Sequence, residues 1–169
     1  MKPYVFGVDI GGTAIKLGMF SAEGAMLEKW EIPTQTGEEG IAILPDVARA
    51  IRGALESRGI KPGQVEGIGI GVPGPVDEHG VVHKCVNLGW GVFSVRERMN
   101  ELLPEIPNVA AGNDANVATL GELWQGGGKG GGHKSAVMFT LGTGVGGGVV
   151  LNGRIVHGAH GGAGEVGHM

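Results

Sequence analysis

Asp9-Ile10-Gly11-Gly12-Thr13 follows one apolar run, Tyr4-Val5-Phe6-Gly7-Val8, and precedes another, Ala14-Ile15-Lys16-Leu17-Gly18-Met19-Phe20. Apolar residues alternate on both sides, so the stretch reads as two strands joined by a glycine turn. Glycine lets the backbone turn tightly and lets N–H groups approach an anion with no Cβ in the way. A second loop of this kind, Leu141-Gly142-Thr143-Gly144-Val145-Gly146-Gly147-Gly148, lies between the strand-like runs 135–140 and 149–151. One such loop is weak evidence. Two of them, each with a threonine hydroxyl and far apart in sequence, suggest two halves of a phosphate clamp.

Working outward, residues 4–9, 14–20 and 26–32 predict a three-stranded antiparallel meander, with Ala22-Glu23-Gly24 as its second turn. A helix is expected over about 38–58, with Ile41, Leu44, Ala48, Ile51 and Leu55 on one face. Pro45 lies inside it, so it starts later or bends there. Residues 65–72 form a β-branched strand ending at Pro73-Gly74-Pro75, and 80–84 a short strand. Ser94-Val95-Arg96-Glu97 is a capping-box pattern for a helix with Val95, Met99, Leu102 and Leu103 as its stripe, ended by Pro104 and Pro107. A short strand at 109–111 leads to Asn113-Asp114-Ala115-Asn116, which opens a helix reaching Trp124. Asn152-Gly153 is a tight-turn signal before 154–156. This order predicts an α/β chain whose mixed sheet has an antiparallel edge, a parallel interior and flanking helices. A boundary near 111–113 would divide it into 1–112 and 113–169, two similar halves whose glycine loops face each other across a cleft.

With 41% apolar and 18% charged residues over 169 positions, the chain can bury a core and does not read as disordered. A formal charge of −4 gives no footprint for nucleic acid or an anionic membrane. A single cysteine, Cys85, excludes an internal disulfide framework and fits a reducing compartment. No apolar run approaches membrane-spanning length, and no secretory signal opens the chain. The expectation is a soluble, cytoplasmic protein with neither a nucleic-acid nor a membrane partner. Glycine, at 36 residues, is abundant enough to suggest linker sequence, but most of it sits in strands or turns. Only 126–132 reads as a flexible surface connector.

Asp9, at the end of a strand, has two readings: organising Mg²⁺-bound water beside phosphates, or initiating a turn through its own side chain. Lys16 either approaches phosphate or faces solvent on its strand, and solvent is the preferred reading. Asp114 at a helix N-terminus is either a cap or a base beside a substrate hydroxyl, with Asn113 placed to fix a sugar. His157, His160 and His168 invite zinc, but their spacing matches no compact metal motif. Glu165 and His168 read better as groups for hydroxyl recognition.

Taken in order, Asp9–Thr13, Gly71-Val72-Pro73-Gly74-Pro75, Asn113–Asn116, the 141–148 loop and the 165–168 tail resemble the ROK (repressor, open reading frame, kinase) sugar kinases, and their bacterial glucokinases most of all. The resemblance runs from end to end. It implies an actin-like, ribonuclease-H-like fold of two lobes and ATP-dependent phosphorylation of a hexose, with glucose expected. Phosphate contacts are implied for Gly11, Gly12, Thr13, Gly142, Thr143 and Gly144, with Asp9 near Mg²⁺. Sugar contacts are implied for Asn87, Asn113, Asp114, Glu165 and His168, with Asp114 as catalytic base. Family members continue well beyond the position of Met169 and use the histidine equivalent to His168 with three later cysteines to bind Zn²⁺. The chain is therefore expected to be an N-terminal fragment with an incomplete second lobe, exposed sheet edges and a tendency to homo-oligomerise. Two other readings stand beside the kinase: a sugar-responsive transcriptional regulator of the same family, and another actin-like ATPase with water as acceptor.

Overall fold

The computed structural model describes residues 2–141, 145–158 and 163–164. Gly142, Thr143, Gly144, Glu165 and His168 lie outside the described residues.

Strands β1 (Tyr4–Ile10), β2 (Ala14–Ser21) and β3 (Met26–Pro33) form the expected antiparallel meander. β4 (Val65–Val72) pairs parallel to β1, and β7 (Val109–Asn113) pairs parallel to β4, giving a five-stranded sheet in the order β3-β2-β1-β4-β7. The antiparallel edge and parallel interior follow from the connections. Tight turns join the meander, whereas β4 is reached from β3 through α1 and β7 from β4 through α2. The period-2 pattern settles the faces: Phe6, Val8 and Ile10 of β1 and Ile15, Leu17 and Met19 of β2 are buried, with Ile68, Ile70 and Val72 of β4.

Two helices cover that face. α1 (Ile43–Ser57) buries Ile43, Leu44, Val47, Ala48, Ile51 and Leu55, and α2 (Val95–Leu102) buries Val95 and Met99. α1 starts later than the periodicity predicts. Residues Glu38–Gly40 make a separate short 3₁₀ turn, Pro45 falls in the first turn of α1 where its missing N–H costs no bond, and Ile41 is left exposed instead of joining the stripe. Ser94 caps α2 as expected, its Oγ accepting from the Glu97 N–H at 3.1 Å. Between β4 and α2, the short strands β5 (Val81–Val82) and β6 (Phe93–Ser94) form a small hairpin.

α3 (Asp114–Gln125) follows β7 without a break and packs on a second sheet, β10-β9-β8, built from β8 (Ala136–Leu141), β9 (Val145–Leu151) and β10 (Arg154–Ile155). Asn152 and Gly153 form the predicted turn, with φ of 52° and 77°. β9 begins earlier than expected, so Gly146 and Gly148 are strand residues. A Cβ on Gly148 would lie 2.6 Å from the Ala115 carbonyl, so Gly148 admits α3 to the sheet, whereas a Cβ on Gly146 would lie 2.6 Å from Thr140 Oγ1 of β8. Val137, Phe139 and Leu141 on β8 are exposed, in line with the expected apolar surface at an open sheet edge. Among the described residues no helix is long and apolar enough to cross a membrane.

Candidate functional site

The carboxyl ends of the parallel strands converge on one place, where ligands of open α/β sheets usually bind. Asp9 of β1 pairs in register with Gly71 of β4, and Gly71 with Gly112 of β7. Asp114, the first residue of α3, follows directly. Asp9 Oδ1 and Asp114 Cβ each lie 3.8 Å from the point where a Gly71 side chain would begin. Two carboxylates from distant parts of the chain thus flank one glycine, and the missing side chain leaves the gap between them open.

Beside Asp9 is the first glycine turn. The Gly11 N–H donates to the Ala14 carbonyl at 3.0 Å, and a Cβ on Gly11 would come within 2.7 Å of that oxygen. Gly12 has nothing within 4 Å of its would-be Cβ and, like Thr13, is exposed. Gly11 therefore shapes the turn, and Gly12 and Thr13 face open space. Sequence reasoning missed Thr34, which fastens the turn from β3's far end. Its Oγ1 donates to the Gly11 carbonyl at 2.7 Å and its N–H to the Thr13 carbonyl at 2.9 Å. The only signal was a threonine just after a predicted strand. Lys16 is largely exposed, as preferred, yet its Nζ lies 4.0 Å from Asp9 Oδ2, where it can balance that carboxylate's charge.

At the start of α3 the structure divides two roles. Asn113, not Asp114, is the N-cap: its Oδ1 accepts from the Asn116 N–H at 3.2 Å. Its Nδ2 donates to the Gly74 carbonyl at 3.2 Å. Asp114 occupies the first helical position, with Oδ1 accepting from the Ala115 N–H at 2.8 Å. A carboxylate there gains from the positive end of the helix.

Asn87 is exposed on a 3₁₀ turn, Val86–Leu88, inside a loop closed by reciprocal backbone bonds of 3.0 Å between Cys85 and Trp90. The Cys85 thiol is buried and donates to the Pro73 carbonyl at 3.1 Å; that burial pushes its pKa up and keeps it protonated. Among the described residues no group of three or more His, Cys, Asp or Glu side chains could hold a metal ion.

The family model for the ROK family matches residues 5–169 of the chain. The chain belongs to the ROK family. A glucokinase of Halalkalibacterium halodurans is 42% identical over 164 residues, an alignment covering 96% of this chain and 48% of that relative. A crystal structure of a ROK family glucokinase from Streptomyces griseus in complex with glucose and AMPPNP superposes with a TM-score of 0.81 at 35% identity, covering 98% of this chain and 50% of that one. A ROK family transcriptional regulator superposes with a TM-score of 0.77 over 95% of this chain and 40% of its own, but at 19% identity it shares the fold alone. The chain thus spans about half the length of the curated relatives it matches. Its mixed sheet is that of the ROK actin-like ATPase fold, as the sequence led one to expect. Of the residues expected at the site, Asp9 and Asp114 come together beside Gly71, the turn of Gly11, Gly12 and Thr13 directly follows β1, and Asn113 is joined to the turn after β4.

Proposed function

We propose that this ROK chain carries the nucleotide-facing and acceptor-facing groups of an ATP-dependent hexose kinase, with glucose as the sugar and glucose 6-phosphate as the product. The observation that carries this is the placement of Asp9, beside a phosphate-type turn, and Asp114, at a helix start, on opposite sides of an unfilled glycine position. The glucose and AMPPNP of the Streptomyces griseus relative support the choice of sugar and nucleotide.

In this reading the N–H groups of Gly12 and Thr13 face the phosphates, Gly11, whose N–H is engaged by the Ala14 carbonyl, shapes the turn that presents them, and Gly142, Thr143 and Gly144 supply the second half of the cradle. Asp114 accepts the proton of the sugar 6-hydroxyl as its oxygen bonds to the γ-phosphorus and the bond to the ADP oxygen breaks. Asn87, Asn113, Glu165 and His168 hold the other hydroxyls. An amide side chain has two donors and two acceptor lone pairs, so the two internal bonds of Asn113 leave one of each for a ligand. Mg²⁺ fits the exposed oxygen donors of Asp9, whose place would be beside the β- and γ-phosphates; it would neutralise charge on the transferring group. Zinc would need His168 and further ligands, and no step above uses it. Residues 1–112 and 113–169 would be two lobes that close on the sugar.

A coupled assay for ADP, run with a panel of hexoses and with none, tests the reading. Sugar-dependent ADP release with glucose preferred supports it. Release of equal rate without sugar would make the chain an ATPase instead.

A further inference from the structure

Three consecutive carbonyls in the turn after β4 are held from two other segments of the chain, residues 83–85 and Asn113. The Cys85 thiol donates to Pro73 O at 3.1 Å, Asn113 Nδ2 to Gly74 O at 3.2 Å, and the His83 N–H to Pro75 O at 3.1 Å. The first two arrive from regions central to the site. Cys85 opens the closed loop that bears Asn87, and Asn113 immediately precedes Asp114. We propose that Cys85 and Asn113 are positioning residues that clamp the Pro73–Gly74 turn between them, so that the Asn87 loop is held in register with the end of α3 that carries Asp114.

The geometry on each side is stiff. Cys85 exchanges backbone bonds with Trp90 in both directions, and the buried Trp90 indole donates to the Gly40 carbonyl at 3.2 Å, which ties the loop to the start of α1. Asn113 is planar and engaged at both ends of its amide, by the Asn116 N–H and by the Gly74 carbonyl. The turn itself has no slack: a Cβ on Gly74 would meet Cys85 Cβ at 3.1 Å and Cys85 Sγ at 3.3 Å. A thiol is a weak donor, so its contribution is chiefly one of shape. A shift of the turn moves both contacts together, because the two accepting carbonyls belong to adjacent residues. The identity of the ligand that profits rests on the hexose-kinase reading; the clamp itself does not.

Cys85 is the sole cysteine, so a thiol reagent such as DTNB reads this position alone. In the ligand-free chain, labelling should be slow and should accelerate about tenfold in Asn113→Ser, which keeps a capping oxygen but cannot reach Gly74. Asn113→Asp, also a good cap, removes the same donor and should accelerate labelling too, although its added charge disfavours the thiolate. Rates within about twofold of wild type in both variants, with helix content retained by circular dichroism, would overturn the clamp. A second arm adds saturating glucose, with binding followed by calorimetry. Labelling slowed severalfold supports the link to the site, and bound glucose with unchanged labelling refutes it. No heat with any hexose counts against the kinase reading, and the variant rates then decide the clamp by themselves.

Discussion

Asp9 Oδ1 and Asp114 Cβ lie at the same distance, 3.8 Å, from the empty side-chain position of Gly71. The register that creates this relationship, Asp9 opposite Gly71 and Gly71 opposite Gly112, is fixed by parallel pairing of strands whose other face is core. A one-residue slip would bury Asp9 and expose Val8, so core packing holds the two carboxylates in place. Because 3.5–3.8 Å is ordinary van der Waals contact, Gly71→Ala is expected to fold with little loss of stability. The methyl would fill the space between the acidic groups, and kcat should fall by at least about tenfold. Thermal melts together with the coupled assay check this. An alanine variant with wild-type turnover would show that nothing passes between the two carboxylates.

Asp114→Asn keeps the side chain's size and its acceptor oxygen toward the Ala115 N–H but removes the base. General-base catalysis typically contributes about 10²–10⁴-fold, so kcat should drop by that order while glucose affinity is retained. Calorimetry for binding and the coupled assay for turnover separate the two. Wild-type kcat in the variant would remove Asp114 from the role.

Gly11 and Gly12 should fail in different ways. A Cβ on Gly11 would come within 2.7 Å of the Ala14 carbonyl, so Gly11→Ala must open the turn and is expected to cost about 1–3 kcal/mol of stability. Gly12→Ala meets nothing within 4 Å, so its stability should change by no more than about 0.5 kcal/mol. The methyl would stand where phosphate is expected, and KM for ATP should rise with KM for glucose unchanged. Urea midpoints and two-substrate kinetics give both readings. If Gly12→Ala binds ATP normally, the face of the turn toward phosphate has been misassigned.

Thr34 fastens the same turn, through 2.7 Å to the Gly11 carbonyl. Thr34→Val keeps the shape and removes the hydroxyl, leaving that partly buried carbonyl short of a donor at a cost of about 1–3 kcal/mol. The variant should raise KM for ATP more than KM for glucose. Equal rises in both would mean that the hydroxyl supports the whole sheet and not the phosphate turn.

The legible parts of the sequence were those where one local signal dominates. The meander, β4, the Ser94 cap and the Asn152-Gly153 turn each had period-2 alternation or strong turn chemistry, and each is where the residues pointed. The start of α1 carried two conflicting signals: Ile41 fits the helical period, whereas Pro45 points to a later start, and the structure follows Pro45, with Glu38–Gly40 turning separately. At Asn113-Asp114 two good caps stand side by side, and composition cannot say which one takes the position; the Gly74 carbonyl waiting for Nδ2 decides it for Asn113. Thr34 and Cys85 act on carbonyls more than ten residues away, and such contacts have no period to read. Glycine proved ambiguous in the second loop, where Gly148 serves helix packing and Gly146 makes room for Thr140 of the neighbouring strand.

Acid should loosen the hairpin that buttresses the Pro73–Pro75 turn. Burial by itself would raise the Asp77 pKa. The N–H groups of Val81 and His79, both donating to Oδ1, and the His83 ring 3.2 Å from Oδ2 outweigh it, so the folded value lies below the ordinary 3.8. A carboxyl with a depressed folded pKa stabilises the fold fully above its unfolded pKa. That contribution is lost as pH falls through the folded value. Asp77→Asn keeps an acceptor but loses the charge, so it should be less stable than wild type near neutral pH. The gap should narrow as pH drops below about 4 and close when wild-type Asp77 is itself protonated. Urea midpoints for both proteins at several pH values measure the gap. A gap that widens toward acid would place the stabilising charge on another group of the hairpin, with His83, His79 and Glu78 as the neighbours to test.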